Sequence, residues 1–598
     1  MKGYLPIAAA YLVAAAQGCP DVDAAYDFKL QFDVYNQPFE EVLEECLLYK
    51  PDIIAFSCQG WAILRADALA GKLAAALPDC IIMFGGNHVS NQSPGFFEGR
   101  EHVDILVHGE GEFTFRDLLK SFLTLDTTEH LSEIAGLSFR AEDGRIVDTG
   151  SRPRIEDIDE IPSPYLTGVV SLDANRTTSA LIETNRGCPY HCSFCYWGAA
   201  VQSKVRRFSM ERLFAEFELL AKAGIDTWFI CDANFGILKR DLELTDKIIE
   251  LRQTYGFPRV VNTNWAKNSN ERIVEICSRL NKAGIHSSYT LALQSTDPHT
   301  LDLANRKNMS VNKIEEIARL CRASGVVPKG ELIWGLPGEN YETFLKSYDD
   351  LAYYTDTLSV YPLYILPNTE YHRNIERYKI KTKRVEVDSV YEYCIEHADM
   401  GQADFERGLR FIVSNNILRI ALGIFYVYPR VLRDLTGVGY AQTIERFPDW
   451  VMSGRNETVR PFVKFFRFPL SLHRQSLAET WKLLRADRTG LLDAIRQYLE
   501  EEFHADLPTE QRTVLLEALE FDFALFPRSS AAFSVEGEIE REERSFDYDF
   551  LPVYLGDSFS NSRSQRRYEF SYLEGFDSYP IENLYFGLPS FRASVKYA

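Results

Sequence analysis

Short apolar runs alternate with amphipathic segments through the first 125 or so residues of the chain. DIIAFS at 52–57, CIIMFGG at 80–86 and the apolar start of VDILVHGEGE at 103–112 each have the length of a buried strand. The segments IAAAYLVAAAQ and ILRADALAGKLAAAL have the composition of helices. Apolar strands that alternate with helices predict a parallel sheet covered on both faces.

A predicted hairpin and a proline-containing connector separate this region from the next. The hairpin is GLSFRAEDGRIVDT, with Asp143-Gly144 at its turn, and the connector is IPSPYL at 161–166. From about residue 178 six strand patterns each precede a helical pattern, as in the helix that Ser209 caps and Gly224 ends. The strand patterns are SALIETN, TWFICD, RVVNTNW, SSYTLALQS, KGELIWG and TLSVYPLYI. This repeat predicts a complete or partial parallel barrel with functional residues at the strand C-termini.

The pattern changes again after about residue 385. Helical segments at 405–425, 474–503 and 509–523 have no strands between them, and the last sixty or so residues are rich in Tyr, Phe and Asp. We therefore predict an α/β protein with a Rossmann-like first domain, a partial (β/α)6 barrel and a mostly helical C-terminal domain. The predicted units are a first domain at 1–130, a hairpin and linker at 131–175, a barrel at 176–385, and a helical domain with an irregular aromatic-rich tail at 386–598.

Charge and hydropathy exclude several classes of partner. The formal net charge of −21 disfavours a nucleic-acid partner, because nucleic-acid affinity depends on cationic neutralisation of phosphates. No apolar run approaches the roughly 20 residues that a membrane-spanning helix needs. The N-terminal apolar segment is short and lacks a basic leader, so it predicts a buried helix rather than a signal peptide. We expect a cytoplasmic protein with no nucleic-acid or membrane partner.

Three of the eleven cysteines are clustered, in the stretch RGCPYHCSFCYWG. Cys188, Cys192 and Cys195 could hold three irons of a 4Fe-4S cluster and leave the fourth iron open for an outside ligand. The alternative is a structural zinc site with His191 as fourth ligand, although such sites prefer paired C-x-x-C hooks. The other cysteines are scattered singly, mostly in apolar segments, which is typical of small buried side chains.

The cysteine motif, placed after the first strand of a six-fold strand-helix repeat, resembles the radical S-adenosylmethionine (SAM) superfamily. The resemblance implies that the three cysteines bind a 4Fe-4S cluster, that SAM binds its open iron, and that an electron from an external reductant of the flavodoxin or ferredoxin type cleaves SAM to a 5′-deoxyadenosyl radical. It also implies SAM contacts at the loop and strand ends, for Phe194, Tyr196, Asp232, Asn234, Gln294, Ser295 and Glu331. Two alternatives are equal for Lys204, Arg206 and Arg207. These residues neutralise the charge of the cluster or of the SAM carboxylate, or they lie on a solvated turn.

The first domain resembles the cobalamin-binding domain that precedes the radical domain in one branch of this superfamily. The matching phrases are KPDIIAFSCQGW, FGGNHVS and VHGEGEFTFRDLL. The resemblance implies that cobalamin binds along the strand C-termini, at Ser57, Trp61, Arg65, Gly85, Gly86, Gly109, Glu110 and Gly111. A core position for Trp61 and a solvated one for Arg65 are equal alternatives. No D-x-H-x-x-G is present, so a histidine ligand to cobalt is not predicted.

The two cofactors together imply an enzyme that methylates carbon. The phrases DANFGILKRD and ELIWGLPGE are similar to the subgroup that contains a tryptophan C-methyltransferase. We expect a C-methyltransferase acting on an unactivated or aromatic carbon of a natural product, an amino acid or a peptide. A non-methylating rearrangement, ring contraction or cyclisation with the same cofactors is the alternative, and a non-catalytic metal-binding or RNA-associated module is a third. No catalytic residue is predicted.

Overall fold

A computed structural model gives the arrangement of most of the chain. It describes residues 3–4, 7–31, 37–89, 95–124, 128–172, 177–196, 204–267, 270–385, 390–423, 425–525, 539–573 and 594–598.

The first domain is built on a five-stranded sheet in the order β2-β3-β4-β5-β6. The strands up to this point of the chain are β1 Gly3–Tyr4, β2 Ile53–Ser57, β3 Ile81–Gly85, β4 Ile105–Val107, β5 Leu137–Arg140 and β6 Ile146–Asp148. Strands β2 to β4 are parallel, whereas β5 and β6 form the predicted hairpin and add to the sheet in antiparallel orientation. The hairpin therefore belongs to the first domain rather than to a linker.

Helices cover both faces of this sheet, as predicted. On β3, Ile82 and Phe84 pack with helix residues such as Ile63, while Met83 points the other way and packs with Phe115. This alternation follows from the two-residue period of a strand. The helices are Ile7–Gln17, Pro20–Ala25, Phe39–Tyr49, Ile63–Ala76 and Glu112–Phe122, with short 3-10 turns at Gly95–Phe97, Thr128–Glu133 and Ile158–Glu160.

The second unit is the predicted partial barrel. Its strands and flanking short strands are β7 Thr177–Ile182, β8 Asn185–Arg186, β9 Arg206–Arg207, β10 Thr227–Phe235, β11 Val260–Trp265, β12 Tyr289–Gln294, β13 Pro328–Trp334 and β14 Thr357–Pro362. Strands β7, β10 and β11 pair in parallel, as do β12, β13 and β14, and a parallel bridge from Val260 to His286 joins the two groups. Strand β1 pairs with β7, so the start of the chain joins the barrel sheet and not the first one.

The barrel strands have one buried face and one partly exposed face. In β10, Trp228 and Ile230 are buried under the outer helices, whereas Phe229 and Cys231 lie on the partly exposed face. The outer helices are Met210–Lys222, Asp241–Tyr255, Asn270–Lys282, Pro298–Leu303, Val311–Ala323 and Tyr341–Ala352. Ser209 caps the first of them by accepting a hydrogen bond from the Arg212 amide, as its sequence predicts.

The C-terminal region is mostly helical, as predicted. Its helices are Glu370–Arg373, Ile375–Tyr378, Gln402–Asn415, Tyr428–Thr436, Tyr440–Glu445, Phe447–Met452, Val463–Arg467, Pro469–Leu472, Gln475–Ala486, Arg488–Leu499, Thr509–Ala524 and Leu551–Tyr554, with π-helical turns at Asn416–Ala421 and Glu500–His504 and a 3-10 turn at Arg460–Phe462. Among the described residues, no helix has both the length and the apolar character needed to cross a membrane.

Two small antiparallel sheets in this region were not predicted. Their strands are β15 Tyr364–Ile365, β16 Lys381–Arg384, β17 Glu392–Glu396, β18 Ile539–Phe546, β19 Arg566–Leu573 and β20 Ser594–Tyr597. The described part of the tail is thus more regular than predicted. These strands carry many charged residues, and aromatic packing of Phe546, Tyr568 and Phe570 against Phe521 replaces the apolar run that marks a strand in the sequence.

The contact between the barrel and the C-terminal helices gives a stability prediction. Gly408 lies inside the helix Gln402–Asn415, and a Cβ at this position would overlap the buried indole of Trp334. Gly408→Ala is therefore expected to lower the free energy of unfolding by about 2 kcal/mol through overpacking, despite the better helix propensity of alanine. Gly401→Ala, at a position with no neighbour within 4 Å of a new Cβ, is the control for urea unfolding. Equal stability of the two variants would contradict the packing described.

Candidate active site

The cysteine loop, which carries Cys188, Cys192 and Cys195 between β8 and β9, leaves the barrel at the C-terminal end of β7. Strands β8 and β9 pair in antiparallel orientation at its two ends. The loop begins with Gly187, at φ +114°. A Cβ there would lie 2.5 Å from the Lys204 carbonyl oxygen, so the position requires glycine. The Ser193 amide donates to the Ala304 carbonyl at 2.9 Å, and the Ser193 carbonyl accepts from the Tyr371 amide at 3.2 Å. These bonds fix the middle of the loop over the barrel mouth.

Polar and cationic donors contact the sulfurs of Cys188 and Cys192. Asn234 Nδ2 lies 3.2 Å from Cys188 Sγ. Lys267 Nζ lies 3.2 Å from Cys192 Sγ, and Arg306 Nη1 lies 3.6 Å from the same atom. Hydrogen-bond donors at these distances suit sulfurs that bind iron, because a cluster and its cysteine ligands bring negative charge into the site.

Asn234 is the predicted SAM residue that the structure places at the cysteines. Its Nδ2 donates to Cys188 Sγ, while its Oδ1 is buried and has no hydrogen-bond partner among the described residues. A buried acceptor without a partner is costly, and a bound group that donates a hydrogen bond would satisfy it. The site therefore fits a ligand with an N–H donor, such as the SAM amino group.

Asp232 lies near the end of β10, as predicted, and its carboxylate is bound within the protein. Its carboxylate accepts hydrogen bonds from the Thr184 amide at 2.8 Å, the Asn185 amide at 3.2 Å, Asn185 Nδ2 at 2.5 Å and the Thr184 hydroxyl. Burial raises the pKa of this carboxyl to about 7, and the hydrogen bonds from Thr184 and Asn185 act against that rise. With four donors already bound, Asp232 holds the segment that leads into the cysteine loop, and the structure gives no support for a SAM contact.

Gln294 and Glu331 lie on neighbouring strands beside Arg306. Gln294 has a left-handed backbone, at φ +70°, at an irregular position in the pairing of β12 and β13. Its side chain donates a hydrogen bond to Glu331. Burial raises the pKa of Glu331, and the charge of Arg306 acts against that rise. Because Arg306 also contacts Cys192, these two predicted residues belong to the surroundings of the cysteines.

The remaining residues predicted near SAM divide between the loop and the barrel wall. Phe194 and Tyr196 are half-buried in the cysteine loop. Ser295 is fully buried, and its hydroxyl bonds with Glu339 and Ser347, so its side chain is used in packing the barrel wall. His191 is exposed, and no group of three His, Cys, Asp or Glu side chains among the described residues is placed to hold one metal ion.

The strand ends of the first domain face a segment of the C-terminal region. Ser57 and Gly109 are exposed at the ends of β2 and β4, and Trp61 is 52% exposed. Tyr391 lies 6.3 Å from the Trp61 ring, between ring centroids, and covers Gly60, where a Cβ would overlap its ring. Trp61 is therefore neither a core residue nor fully solvated.

The predicted glycines at these strand ends differ in the space that surrounds them. Gly86, at φ +108°, passes close to the Cys58 backbone, where a Cβ would lie 2.8 Å from the carbonyl oxygen. Gly109, at φ +71°, has open space around it, as a cofactor crevice requires. At Gly85 a Cβ would make only ordinary contacts, and at Gly111 it would press on Leu12. Cobalamin contacts at all four positions stay predictions.

Arg65 and Glu110 have partners other than the predicted corrin. Arg65 donates to the Gln37 carbonyl and lies over the Phe39 ring at 5.4 Å, so it fastens a neighbouring helix. Glu110 accepts two hydrogen bonds from Arg206, at 2.6 and 2.9 Å. Burial acts to raise the pKa of Glu110, but Arg206 and Arg186 outweigh burial and hold it below its usual value.

A buried network of ion pairs thus joins the two units. Glu110 pairs with Arg206 on β9, and Glu112 pairs with Arg186 on β8 at 2.7 Å. Arg206 also donates to the Ile155 carbonyl, and Ile155 donates its amide to Glu110 at 3.1 Å. Arg206 is buried in these contacts, so the solvated turn considered for it is wrong. Lys204 is solvated, in an exposed pair with Glu156.

Comparison with known proteins agrees with this combination of domains. Residues 182–351 match the family model of the radical SAM superfamily, and residues 4–119 match that of the B12 binding domain. The chain is 34% identical over 478 residues to the cobalamin-dependent radical SAM methyltransferase TokK of Streptomyces tokunonensis, covering 76% of this chain and 69% of TokK. It is 36% identical over 379 residues to the 2-(S-pantetheinyl)-carbapenam-3-carboxylate methyltransferase of Streptantibioticus cattleyicolor, covering 61% of this chain and 54% of that relative.

Two solved structures share the fold. OxsB with aqua-cobalamin bound superposes with a TM-score of 0.55 at 16% identity, covering 88% of this chain and 82% of OxsB. TsrM from Kitasatospora setae, with tryptophan and a SAM analogue bound, gives a TM-score of 0.51 at 17% identity, covering 64% of this chain and 76% of TsrM. At this identity the tryptophan-methylating subgroup is supported in fold alone.

Fold and site together define a radical SAM enzyme with a cobalamin-binding domain. The chain belongs to the family of cobalamin-dependent radical SAM methyltransferases. The cofactors of this family are a 4Fe-4S cluster, SAM and cobalamin, as the sequence predicts.

The buried ion pairs give a prediction about stability. Arg206→Met would leave Glu110 partly buried without its main partner, so we expect the free energy of unfolding at pH 7 to fall by about 3 kcal/mol. Lys204→Met removes a nearby pair whose side chains are 79% and 77% exposed. This control is expected to cost at most about 1 kcal/mol. Urea unfolding of both variants measures the difference, and equal losses would show that the Glu110–Arg206 pair is not buried in solution.

Proposed function

We propose that this protein methylates a carbon atom of a small natural-product intermediate. The observation that carries the proposal is the set of donors at the cysteines, in which Asn234 contacts Cys188 and both Lys267 and Arg306 contact Cys192. These residues fit a thiolate-bound cluster, and the partnerless Oδ1 of Asn234 fits an amine ligand beside it. The family membership supplies the reaction class.

In this proposal the protein binds and orients the cofactors. Cys188, Cys192 and Cys195 hold the cluster, and Asn234, Gln294 and Glu331 line the SAM side of the barrel mouth. The bound cofactors supply one-electron cleavage of SAM and transfer of a methyl group through cobalt. Lys267 and Arg306 stabilise the negative charge that the cluster and its thiolates bring into a buried site.

The names of the relatives support a proposal for the substrate class. One of them is named for a pantetheinylated carbapenam carboxylate, which is a small and anionic molecule. We propose a substrate of this kind, which reaches the site between the strand ends of the first domain and the barrel mouth. A flavodoxin-like or ferredoxin-like electron donor and a cytoplasmic location complete the proposal. A rearrangement with the same cofactors is disfavoured by the methyltransferase relatives.

The proposal is tested by product analysis under anaerobic conditions. Protein reconstituted with iron, sulfide and hydroxocobalamin is incubated with SAM, a one-electron reductant and a pantetheinylated carbapenam carboxylate. We expect S-adenosylhomocysteine to form together with a product heavier by one methylene unit. Formation of 5′-deoxyadenosine with an isomerised or cyclised product and no S-adenosylhomocysteine would support rearrangement instead.

Two cysteine variants control this experiment. Cys192→Ala is expected to abolish cluster assembly and turnover while cobalamin still binds, because the first domain does not depend on the cluster. Cys46→Ala removes a half-buried thiol from a helix of the first domain and is expected to keep full iron content. Iron and cobalamin are quantified in both variants. A full cluster in Cys192→Ala would contradict the assignment of this ligand.

A further inference from the structure

A groove in the C-terminal region has a charge opposite to that of the rest of the protein. It encloses about 420 Å³ between β16, the start of the helix Gln402–Asn415 and residues 467–471. This volume is in the range of small-molecule sites. Four cationic side chains line it, those of Lys383, Arg384, Arg410 and Arg467, against one carboxylate, that of Glu406. The formal charge of the lining is thus +3 (four minus one), on a chain with a net charge of −21.

Three of these cations have no counter-charge among the residues that the structure describes. The side chains of Lys383, Arg410 and Arg467 form no hydrogen bond and no ion pair within the described part of the chain. Arg410 is only half-exposed, and its Nε is buried without a partner. Glu406, the one acid of the lining, interacts with Gln402. Like charges brought together without a counter-charge repel one another, so an anion would stabilise this arrangement.

The groove also has an apolar part. Phe405 and Pro469 are buried in its wall, and Phe468 at its edge is 62% exposed. This ring gives the edge of the cavity an apolar surface on which a flexible chain can pack. The lining therefore suits a ligand that has an oxyanion at one position and an apolar chain beside it.

Strand pairing places the groove near the entrance to the barrel. Lys383 pairs with Tyr393 across β16 and β17, and Tyr393 pairs with Tyr364 across β17 and β15. Neighbouring strands lie about 4.8 Å apart, so Lys383 lies about 10 Å from Tyr364. Tyr364 in turn lies 5.6 Å from Tyr391, which packs on Trp61 of the first domain. The groove and Trp61 at the strand ends of the first domain are therefore within the reach of one extended molecule.

We propose that this groove binds the anionic end of the substrate, a phosphate or carboxylate carried on a flexible chain. The inference rests on the proposed function for the identity of the ligand, but not for the existence of the anion site. Arg410 and Arg467 contact the oxyanion, because guanidinium groups match the geometry of carboxylate and phosphate oxygens. Lys383 adds a point charge, and Phe468 packs on the chain.

Binding of two matched probes to the reconstituted protein tests the proposal without turnover. The probes are 4′-phosphopantetheine and pantetheine, which differ in one phosphate. We expect the phosphorylated probe to bind at least about tenfold more tightly in isothermal titration calorimetry, as two charge-assisted hydrogen bonds allow. The preference is expected to shrink as the salt concentration rises. Equal affinity for the two probes would overturn the proposal for phosphate, and a pantetheine derivative with a terminal carboxylate tests the other anion in the same way.

Charge-matched variants separate a specific site from general electrostatics. Arg410→Gln/Arg467→Gln is expected to remove the preference for the phosphorylated probe. Arg319→Gln/Arg460→Gln removes the same charge at positions that are 64% and 76% exposed, and is expected to keep the preference. An equal loss in both double variants would overturn the proposal. If Arg410→Gln/Arg467→Gln loses binding to an acidic electron-donor protein while its binding of both probes is unchanged, the proposal is also overturned and the groove is assigned to a protein partner.

The outcome is separable from that of the proposed function. If the probes bind as expected and no methyl transfer occurs, the anion site stands and the reaction is wrong. If methyl transfer occurs and the groove variants keep the same affinity for both probes and for substrate, the reaction stands and the anion site is wrong. Circular dichroism of all variants confirms that they are folded.

Discussion

The arrangement of the two cofactor-binding units depends on one buried network of ion pairs. Glu110 and Glu112 of the first domain meet Arg206 and Arg186 on the strands at either end of the cysteine loop. A buried charge without its partner costs several kcal/mol, so packings of the two units that separate these pairs are strongly disfavoured. The network acts less as a source of stability than as a constraint on orientation, since apolar contacts could hold the units together in several ways.

This constraint brings the ends of the cysteine loop close to the edge of the first sheet where cobalamin is expected. The strands that carry Arg186 and Arg206 also fix the ends of the cysteine loop, and the turn that carries Glu110 and Glu112 follows β4, at the edge of the first sheet where cobalamin is expected. Tyr391 covers Gly60 and contacts Trp61, so the C-terminal region also packs on the strand ends of the first domain.

The sequence predicts the local elements well and the contacts between units poorly. Apolar runs and helix caps mark the parallel strands and barrel helices, and the spacing of Cys188, Cys192 and Cys195 marks the loop. The roles of Glu110, Arg206 and Asp232 could not be predicted, because their partners lie 96 or 48 residues away in the chain. The same limit applies to Lys267 and Arg306, which no motif distinguishes. The sequence does carry one signal for Glu110 and Glu112. Two acidic residues directly after a buried strand indicate that cationic partners lie nearby in the fold.

The most direct test of this account is the distance between the two metals in solution. Pulsed electron double resonance between cob(II)alamin and the reduced cluster reports the relative position of the two units in the reconstituted protein. The account predicts one narrow distance distribution in the wild type and a broad one in Glu110→Gln/Glu112→Gln, with both cofactors still bound. A distribution in the double variant that is as narrow as in the wild type, at the same distance, would show that the ion pairs do not set the orientation.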